Sequence, residues 1–227
     1  MLTVTALSGG YGQANVVREA DFAVGAGEIV ALLGRNGMGK TTLLRTVFGL
    51  ADRQGGEVAF DGRPVPPGRP DVLARLGASL MPEDRGVFPT LTVEENLALA
   101  TRRSFAPAVD VHALFPLLTE RRRQPAGTLS GGQKQQLGIA RALLAGRRLV
   151  VVDELTQGLQ PSVVTDVVAA LQRVAASGVA VLVVDQQPDR TLDWCHRVLL
   201  MESGRLVLDT PIAAETRRRC HELLMLR

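Results

Sequence analysis

The sequence has few of the residues that mark secreted, zinc-binding or membrane-spanning chains. Its two cysteines, Cys195 and Cys220, are far apart and have no CxxC spacing. This is too few for a disulfide framework or a zinc site, and it suits a reducing cytosol. The longest apolar runs, such as residues 179–184, fall far short of the roughly 20 residues that span a bilayer. The N-terminus lacks a basic segment followed by an apolar core, so we expect no secretory signal.

Charge is moderate, and lysine is scarce. Only Lys40 and Lys134 are lysines among 26 basic residues, and the net charge is +3. No run of like charges exceeds three residues, as at 121–123 and 217–219, so these clusters indicate solvated surface and no nucleic-acid partner. With 227 residues and 46% apolar residues, the chain is long enough for one sizeable core. We predict a single domain, 1–227.

The hydrophobic pattern predicts an α/β core. Short continuous apolar runs indicate strands covered on both faces, as in a parallel sheet. These runs are 28–33, 148–152 and 179–184, and helical patterns alternate with them at 39–50 and 162–176. Both ends contain β patterns, at 2–7, 16–24, 57–61 and in a hairpin around Glu202-Ser203-Gly204. We therefore expect an antiparallel sheet packed beside the core.

The middle of the chain, roughly 71–146, is predicted to be mostly helical. Thr92 and Glu95 match a capping box that opens a helix through Arg102, because the threonine can cap a backbone N–H while the glutamate reaches back. Loops are indicated between several short helices. This pattern predicts a helical lobe inserted into the α/β core.

A phosphate-binding loop follows the first core strand. Its residues, which match G-x-x-x-x-G-K-[ST], are Gly34, Arg35, Asn36, Gly37, Met38, Gly39, Lys40 and Thr41, with Thr42 next. Glycines let successive N–H groups point at phosphate oxygens, and the helix that starts here adds its positive end. Lys40 would neutralise the β and γ phosphates, and the Thr41 hydroxyl would ligate Mg²⁺. The alternative is a glycine-rich turn that happens to precede a lysine.

Two acids, Asp153 and Glu154, end the second core strand. In an α/β sheet this places Asp153 beside the phosphate loop, where it can hold the water shell of Mg²⁺. Glu154 would polarise the attacking water as general base. Acids at a strand end often only cap it, but the phosphate loop favours the catalytic interpretation.

The segment Leu129-Ser130-Gly131-Gly132-Gln133 opens a long helical pattern. Two adjacent glycines weaken a helix start by roughly 1 kcal/mol each relative to alanine. A close backbone approach to a ligand explains them better, with exposed N–H groups forming a second anion site.

The order of phosphate loop, LSGGQ and Asp-Glu resembles the ABC ATPase family over residues 1 to 210. The resemblance implies a P-loop NTPase core with an antiparallel β subdomain and an inserted helical lobe, binding ATP and Mg²⁺. It also implies a head-to-tail dimer, in which Ser130 to Gln133 of one chain cover the ATP held by the other. Tyr11 falls where the family places an aromatic residue on adenine.

Four residues, in three segments, differ from the family pattern. Glu83 replaces a glutamine that touches Mg²⁺, and Gln186 replaces the histidine that contacts the γ-phosphate. Glutamine can donate a hydrogen bond but cannot carry charge. In the loop after Glu154, Leu155 and Gln160 replace proline and aspartate. Leu155 has no explanation at the level of sequence.

Several segments are similar to one branch of the family, the ATP-binding subunits of branched-chain amino acid importers. They are 82–85 with Phe88, 91–97, Gly158-Leu159-x-Pro161 and Gln186. Urea importer subunits are the alternative within transporters, and they more often keep glutamine at position 83. The C-terminus after Thr210 is atypical of this branch.

The resemblance implies an ATP-hydrolysing subunit of an importer, peripheral to the cytoplasmic face of the inner membrane. Its expected partners are a second ATP-binding subunit, transmembrane permease subunits and, indirectly, an extracytoplasmic solute-binding protein. The branch pairs two different ATPase chains, so a heterodimer is favoured over a homodimer. A DNA-repair or translation ATPase is disfavoured because the chain has one phosphate loop and no heptad run. A non-hydrolysing regulatory module is the other alternative, motivated by the missing histidine and aspartate.

Overall fold

A computed structural model describes residues 1–101, 109–156 and 160–225. Its strands form two sheets. The strands are β1 Leu2–Tyr11, β2 Ala14–Val24, β3 Ile29–Leu33, β4 Asp52–Phe60, β5 Arg63–Pro64, β6 Ala78–Met81, β7 Leu149–Val152, β8 Ala180–Asp185, β9 Arg197–Glu202 and β10 Arg205–Pro211. The helices are α1 Lys40–Val47, α2 Pro70–Arg75, α3 Val93–Ala100, α4 Val111–Leu114, α5 Pro116–Glu120, α6 Gly131–Ala145, α7 Pro161–Ala176, α8 Pro188–Thr191 and α9 Ala214–Met225.

The larger sheet has six strands in the order β10-β9-β3-β8-β7-β6. All its neighbours pair in parallel except β9 and β10, which form an antiparallel hairpin at one edge. Strand β3 shows why the apolar runs are continuous. Ala31 and Leu33 enter one buried cluster and Val30 and Leu32 enter the other, so both faces are covered. The predicted α/β core is therefore confirmed.

The smaller sheet is antiparallel, in the order β2-β1-β4-β5, and it packs with α1 against one face of the larger sheet. The prediction that the C-terminal hairpin joins this sheet is wrong. Strand β9 instead pairs in parallel with β3, because its central residues Val198 to Met201 are fully buried and need cover on both faces.

The segment predicted as mostly helical contains α2 to α6 and also one strand, β6, which pairs with β7 in the core sheet. The extent of an inserted lobe stays a prediction. The capping box of α3 is confirmed, since Thr92 Oγ1 accepts from the Glu95 N–H at 3.2 Å and Glu95 Oε2 accepts from the Thr92 N–H at 2.8 Å. Helix α3 ends at Ala100, and Arg102 lies outside the described residues.

Across the described residues, the helices are too short or too polar for any of them to cross a bilayer.

Candidate active site

The candidate site lies at the ends of three neighbouring strands of the larger sheet. Strands β3, β8 and β7 are parallel and adjacent, so the loops that follow them emerge at the same edge. These loops carry the phosphate loop, the Gln186 segment and the Asp153-Glu154 pair, respectively. Ligands of open α/β sheets bind at this carboxyl edge. The fold thus brings together three groups that lie far apart in sequence.

The phosphate loop and α1 form one cavity with residues from other segments. The residues that line it are Val16, Asn36, Gly37, Gly39, Lys40, Thr41, Thr42, Glu83 and Glu154. Gly39 precedes α1 with φ 101°, and a Cβ there would lie 3.1 Å from Met201 Cε and 3.3 Å from Val16 Cγ1. A side chain at this position would therefore be strained and crowded. Glycine at position 39 therefore leaves the backbone at the start of α1 without a side chain.

Lys40 is buried inside this loop. Its ammonium donates to the carbonyl of Gly34 at 2.7 Å and to that of Arg35 at 2.9 Å. Burial lowers the pKa of Lys40, and the negative charges of Glu154 and Asp153 oppose that shift. The cation is thereby held next to both acids and next to the backbone that would bind phosphates.

Asp153 and Glu154 lie at the end of β7 as predicted. Asp153 is 2% exposed, and burial raises the pKa of its carboxyl group, while a hydrogen bond with Thr41 lowers it. Among the described residues, Asp153 Oδ1 and Glu154 Oε2 are buried acceptors without a hydrogen-bond partner. The orphaned oxygen of Asp153, on a carboxylate that is hydrogen-bonded with Thr41, fits a divalent cation.

The backbone of Glu154 is left-handed, with φ 55°, which is uncommon for a residue other than glycine. Both sides of this turn are fixed. The Asp153 N–H donates to the Met81 carbonyl at 2.9 Å, and the Leu155 N–H donates to the Val184 carbonyl at 3.3 Å. Strain of this kind persists where the surroundings hold it, and it is frequent at active sites.

The hydrogen bond from the Leu155 N–H gives a physical reason why position 155 is not a proline, which the sequence alone left unexplained. Leu155 is fully buried in the core cluster, and its N–H is used, which a proline could not provide. Gln160 precedes α7 without a side-chain cap. Gly158 and Leu159 of the branch pattern lie outside the described residues.

Gln186 contacts Glu154 directly. Its amide Nε2 donates to Glu154 Oε1 at 2.7 Å. Sequence reasoning expected Gln186 at the γ-phosphate and did not foresee this contact, because it depends on the neighbouring positions of β7 and β8. The amide thus holds one oxygen of the carboxylate predicted to act as base.

The structure also singles out Asp185, a residue without a predicted role. It is 4% exposed and accepts hydrogen bonds from Thr156, Gln186 and Gln187. An acid that ends a run of five buried apolar residues was the available signal.

Glu83 follows β6 and lines the same cavity as Lys40 and Glu154. Its charge contributes to the raised pKa of Asp153. In the part of the chain that is described, no group of three or more histidine, cysteine or acidic side chains could hold a metal alone. A cation at Thr41 and Asp153 would therefore rely on phosphate oxygens as well, which is the usual way Mg²⁺ is bound.

Tyr11 ends β1 and is 45% exposed. Its hydroxyl accepts from Arg45 of α1 at 3.3 Å. The ring is therefore near the helix that the phosphate loop opens and is accessible, and its stacking on adenine stays a prediction.

The LSGGQ segment lies elsewhere. Ser130 and Gln133 form a capping box at the start of α6, with Ser130 Oγ accepting at 3.3 Å and Gln133 Oε1 accepting at 3.0 Å. A Cβ on Gly131 would meet no atom within 4 Å, but one on Gly132 would lie 3.0 Å from Val163. Sequence reasoning missed both the S-x-x-Q cap and this packing of Gly132.

Ser130, Gly132 and Gln133 line a cavity shared with α5 and α7, and none of the described phosphate-loop residues lines it. One chain therefore does not bring the two predicted anion sites together. This separation is what a head-to-tail pair of chains would require.

Comparison with known proteins identifies the family of the chain. The family model described as ABC transporter matches residues 17–157. The high-affinity branched-chain amino acid transport ATP-binding protein BraG of Pseudomonas aeruginosa is 35% identical over 219 residues, covering 94% of each chain. The ribose import ATP-binding protein RbsA 1 of Rubrobacter xylanophilus is 32% identical, covering 92% of this chain and 45% of that protein.

A solved structure described as the ATP binding subunit of an ABC transporter has a TM-score of 0.83 at 26% identity, covering 100% of this chain and 98% of that chain. The likeness to the branched-chain amino acid branch and the fold class are thus confirmed. The chain therefore belongs to the ABC transporter family, as an ATP-binding subunit that hydrolyses ATP.

Proposed function

We propose that this chain powers an importer of branched-chain amino acids by hydrolysing ATP. The main support for ATP hydrolysis by this site is the hydrogen bond from Gln186 to Glu154 beside the phosphate loop. The full-length similarity to the Pseudomonas aeruginosa protein supports the choice of cargo.

Each predicted site residue has a place in this reaction. The N–H groups of residues 34–42 and the Lys40 ammonium bind the phosphates of ATP. Glu154 accepts a proton from the attacking water, and Gln186 keeps its carboxylate in place. Thr41 and Asp153, with Glu83 nearby, would hold Mg²⁺, which neutralises the charge of the phosphates when bound. Tyr11 stacks on the adenine.

The Gln186 contact also bears on the non-hydrolysing alternative. Glutamine lacks the charge of the family histidine, but its amide holds the base by a hydrogen bond. The missing histidine is therefore no argument for an inactive site.

The second anion site of this chain acts on the ATP that is bound by a second ATP-binding subunit. Ser130, Gly131, Gly132 and Gln133 of one chain cover the ATP bound by the other chain, and we favour a heterodimer over a homodimer. The pair acts on transmembrane permease subunits at the cytoplasmic face of the inner membrane. An extracytoplasmic solute-binding protein delivers the cargo.

Other small solutes are the second candidate cargo. The similarity to a ribose import protein favours a sugar, and urea is the further alternative from the sequence pattern. Uptake of labelled leucine, ribose and urea by cells that lack this chain separates them, with wild-type or Lys40→Ala chain restored. Leucine uptake restored only by the wild type is expected. Restored ribose or urea uptake, with leucine uptake unchanged, would overturn the cargo.

A further inference from the structure

Asp185 is a charged group in a nearly closed environment. It ends β8, is 4% exposed, and accepts from Thr156 Oγ1 at 2.8 Å, from the Gln186 N–H at 2.6 Å and from the Gln187 N–H at 3.1 Å. A buried carboxylate is costly unless it is well hydrogen-bonded. Three donors converge on this one, so the local structure is built around it.

The three hydrogen bonds differ in how far apart their partners lie in sequence. The two N–H donors follow Asp185 directly, as in a turn that an aspartate stabilises by itself. Thr156 is different, because it belongs to the loop after β7, 29 positions away in sequence. Its hydroxyl bond to Asp185 therefore joins two loops, and a local turn does not require it.

The two joined loops carry the reacting groups. Thr156 lies two residues after Glu154, and Gln186 directly follows Asp185. The Asp185–Thr156 hydrogen bond therefore runs beside the bond from Gln186 to Glu154, between the same two loops. The Leu155 bond to the Val184 carbonyl is a third link. Together they define where the Gln186 amide lies relative to Glu154.

We propose that Asp185 is a positioning residue for ATP hydrolysis, whose bond to Thr156 keeps the Gln186 amide against the Glu154 carboxylate. The proposal rests on the roles of Glu154 and Gln186 proposed above. Asp185 touches neither nucleotide nor water in this role. It acts through Gln186.

The test removes only the bond between the loops. Thr156→Val keeps the shape of the side chain and deletes its hydroxyl. The matched control is Thr191→Val, because Thr191 is also fully buried and its hydroxyl bonds locally, to the Gln187 carbonyl at 3.1 Å. We expect kcat for ATP to fall about tenfold in Thr156→Val, as for loss of one buried hydrogen bond. The KM for ATP should change less than about twofold, and Thr191→Val should keep the wild-type kcat.

Two further variants separate positioning from general damage. Thr156→Ser restores the hydroxyl and should recover most of the lost kcat. In a Gln186→Ala background, Thr156→Val should cause no further loss, since the bond acts through an amide that is no longer there. A merely structural role would instead lower kcat by the same factor in both backgrounds.

The outcomes distinguish this proposal from the function on which it rests. Wild-type kcat in Thr156→Val, or a full further loss on Gln186→Ala, would overturn the positioning role. If Glu154→Gln kept the wild-type kcat, the assignment of the base would fail, whatever Thr156→Val did.

Discussion

The two halves of the predicted ATP site differ in how complete they are within one chain. The phosphate-loop half is assembled by the core sheet: Lys40, Asp153, Glu154 and Gln186 lie at the same edge, and Gln186 already bonds Glu154. The signature half, around Gly131, is an exposed helix start whose side-chain bonds are internal to its own capping box.

This difference indicates where each half obtains its geometry. The assembled half depends on long-range packing in the chain, so damage to the core should disturb it. The signature half depends on local helix capping and on the packing of Gly132 against Val163, and in the proposed dimer it contacts the ATP of a second chain. Substitutions should therefore affect stability and turnover differently in the two halves.

The largest stability effect is expected for Leu155→Ala in the assembled half. Leu155 is fully buried beside Glu154, and truncating such a leucine costs about 2–5 kcal/mol. Chemical denaturation measures this loss. Leu99→Ala is the control, because Leu99 is 61% exposed. Equal unfolding free energies for both variants would contradict the packing described for Leu155.

Lys40→Ala should weaken ATP binding, whereas a substitution in the signature half should not. Loss of a buried cation that contacts phosphate costs about 2–5 kcal/mol, which is roughly 30-fold or more in affinity. Gly131→Ala should leave the affinity of the isolated chain unchanged, because we propose that this half covers the ATP bound by a second chain. Equilibrium titration with ATP tests both. A large loss of affinity in Gly131→Ala alone would contradict the division into halves.

The two glycines of the signature should differ from each other. A Cβ on Gly132 meets Val163 at 3.0 Å, but one on Gly131 meets nothing within 4 Å. Valine is stiff, so Gly132→Ala should be less stable than Gly131→Ala by about 1–3 kcal/mol. Thermal unfolding of the two variants measures the difference. If Val163→Ala fails to relieve the Gly132→Ala defect, the steric explanation is wrong.

The smallest expected effect is that of Ser130→Ala. It removes the cap of α6, which costs about 1 kcal/mol. Ser130→Asp keeps an acceptor at this position and should retain the stability of the wild type, which denaturant unfolding can check. Identical losses in both variants would show that the cap does not stabilise α6.

The parts of the site that the sequence predicted are those built from neighbouring residues. The phosphate loop and the pair Asp153 and Glu154 were found because a single segment contains the whole pattern. The Gln186–Glu154 and Asp185–Thr156 bonds were not predictable, since each joins two loops brought together by strand order in the sheet.

The same limit applies to the fold. The apolar runs of β3, β7 and β8 predicted a covered sheet. The run Val198 to Met201 in β9 carries the same signal, but the hairpin pattern outweighed it, and no single segment shows that β9 pairs with β3. Strand β6 was missed because the polar Ser79 interrupts its apolar run, whereas the equally short β7 consists of apolar residues only.

The role of Glu154 as general base is tested most directly by Mg²⁺-dependent phosphate release from ATP, measured for wild type and Glu154→Gln, with Lys40→Ala as control for contaminating ATPase. Glutamine keeps the size of Glu154 but cannot accept the proton. We predict measurable turnover in the wild type and a rate lower by roughly 10²–10⁴-fold in Glu154→Gln, with ATP affinity retained. A Glu154→Gln chain that releases phosphate at the wild-type rate, while Lys40→Ala does not, would contradict the role of Glu154 as general base.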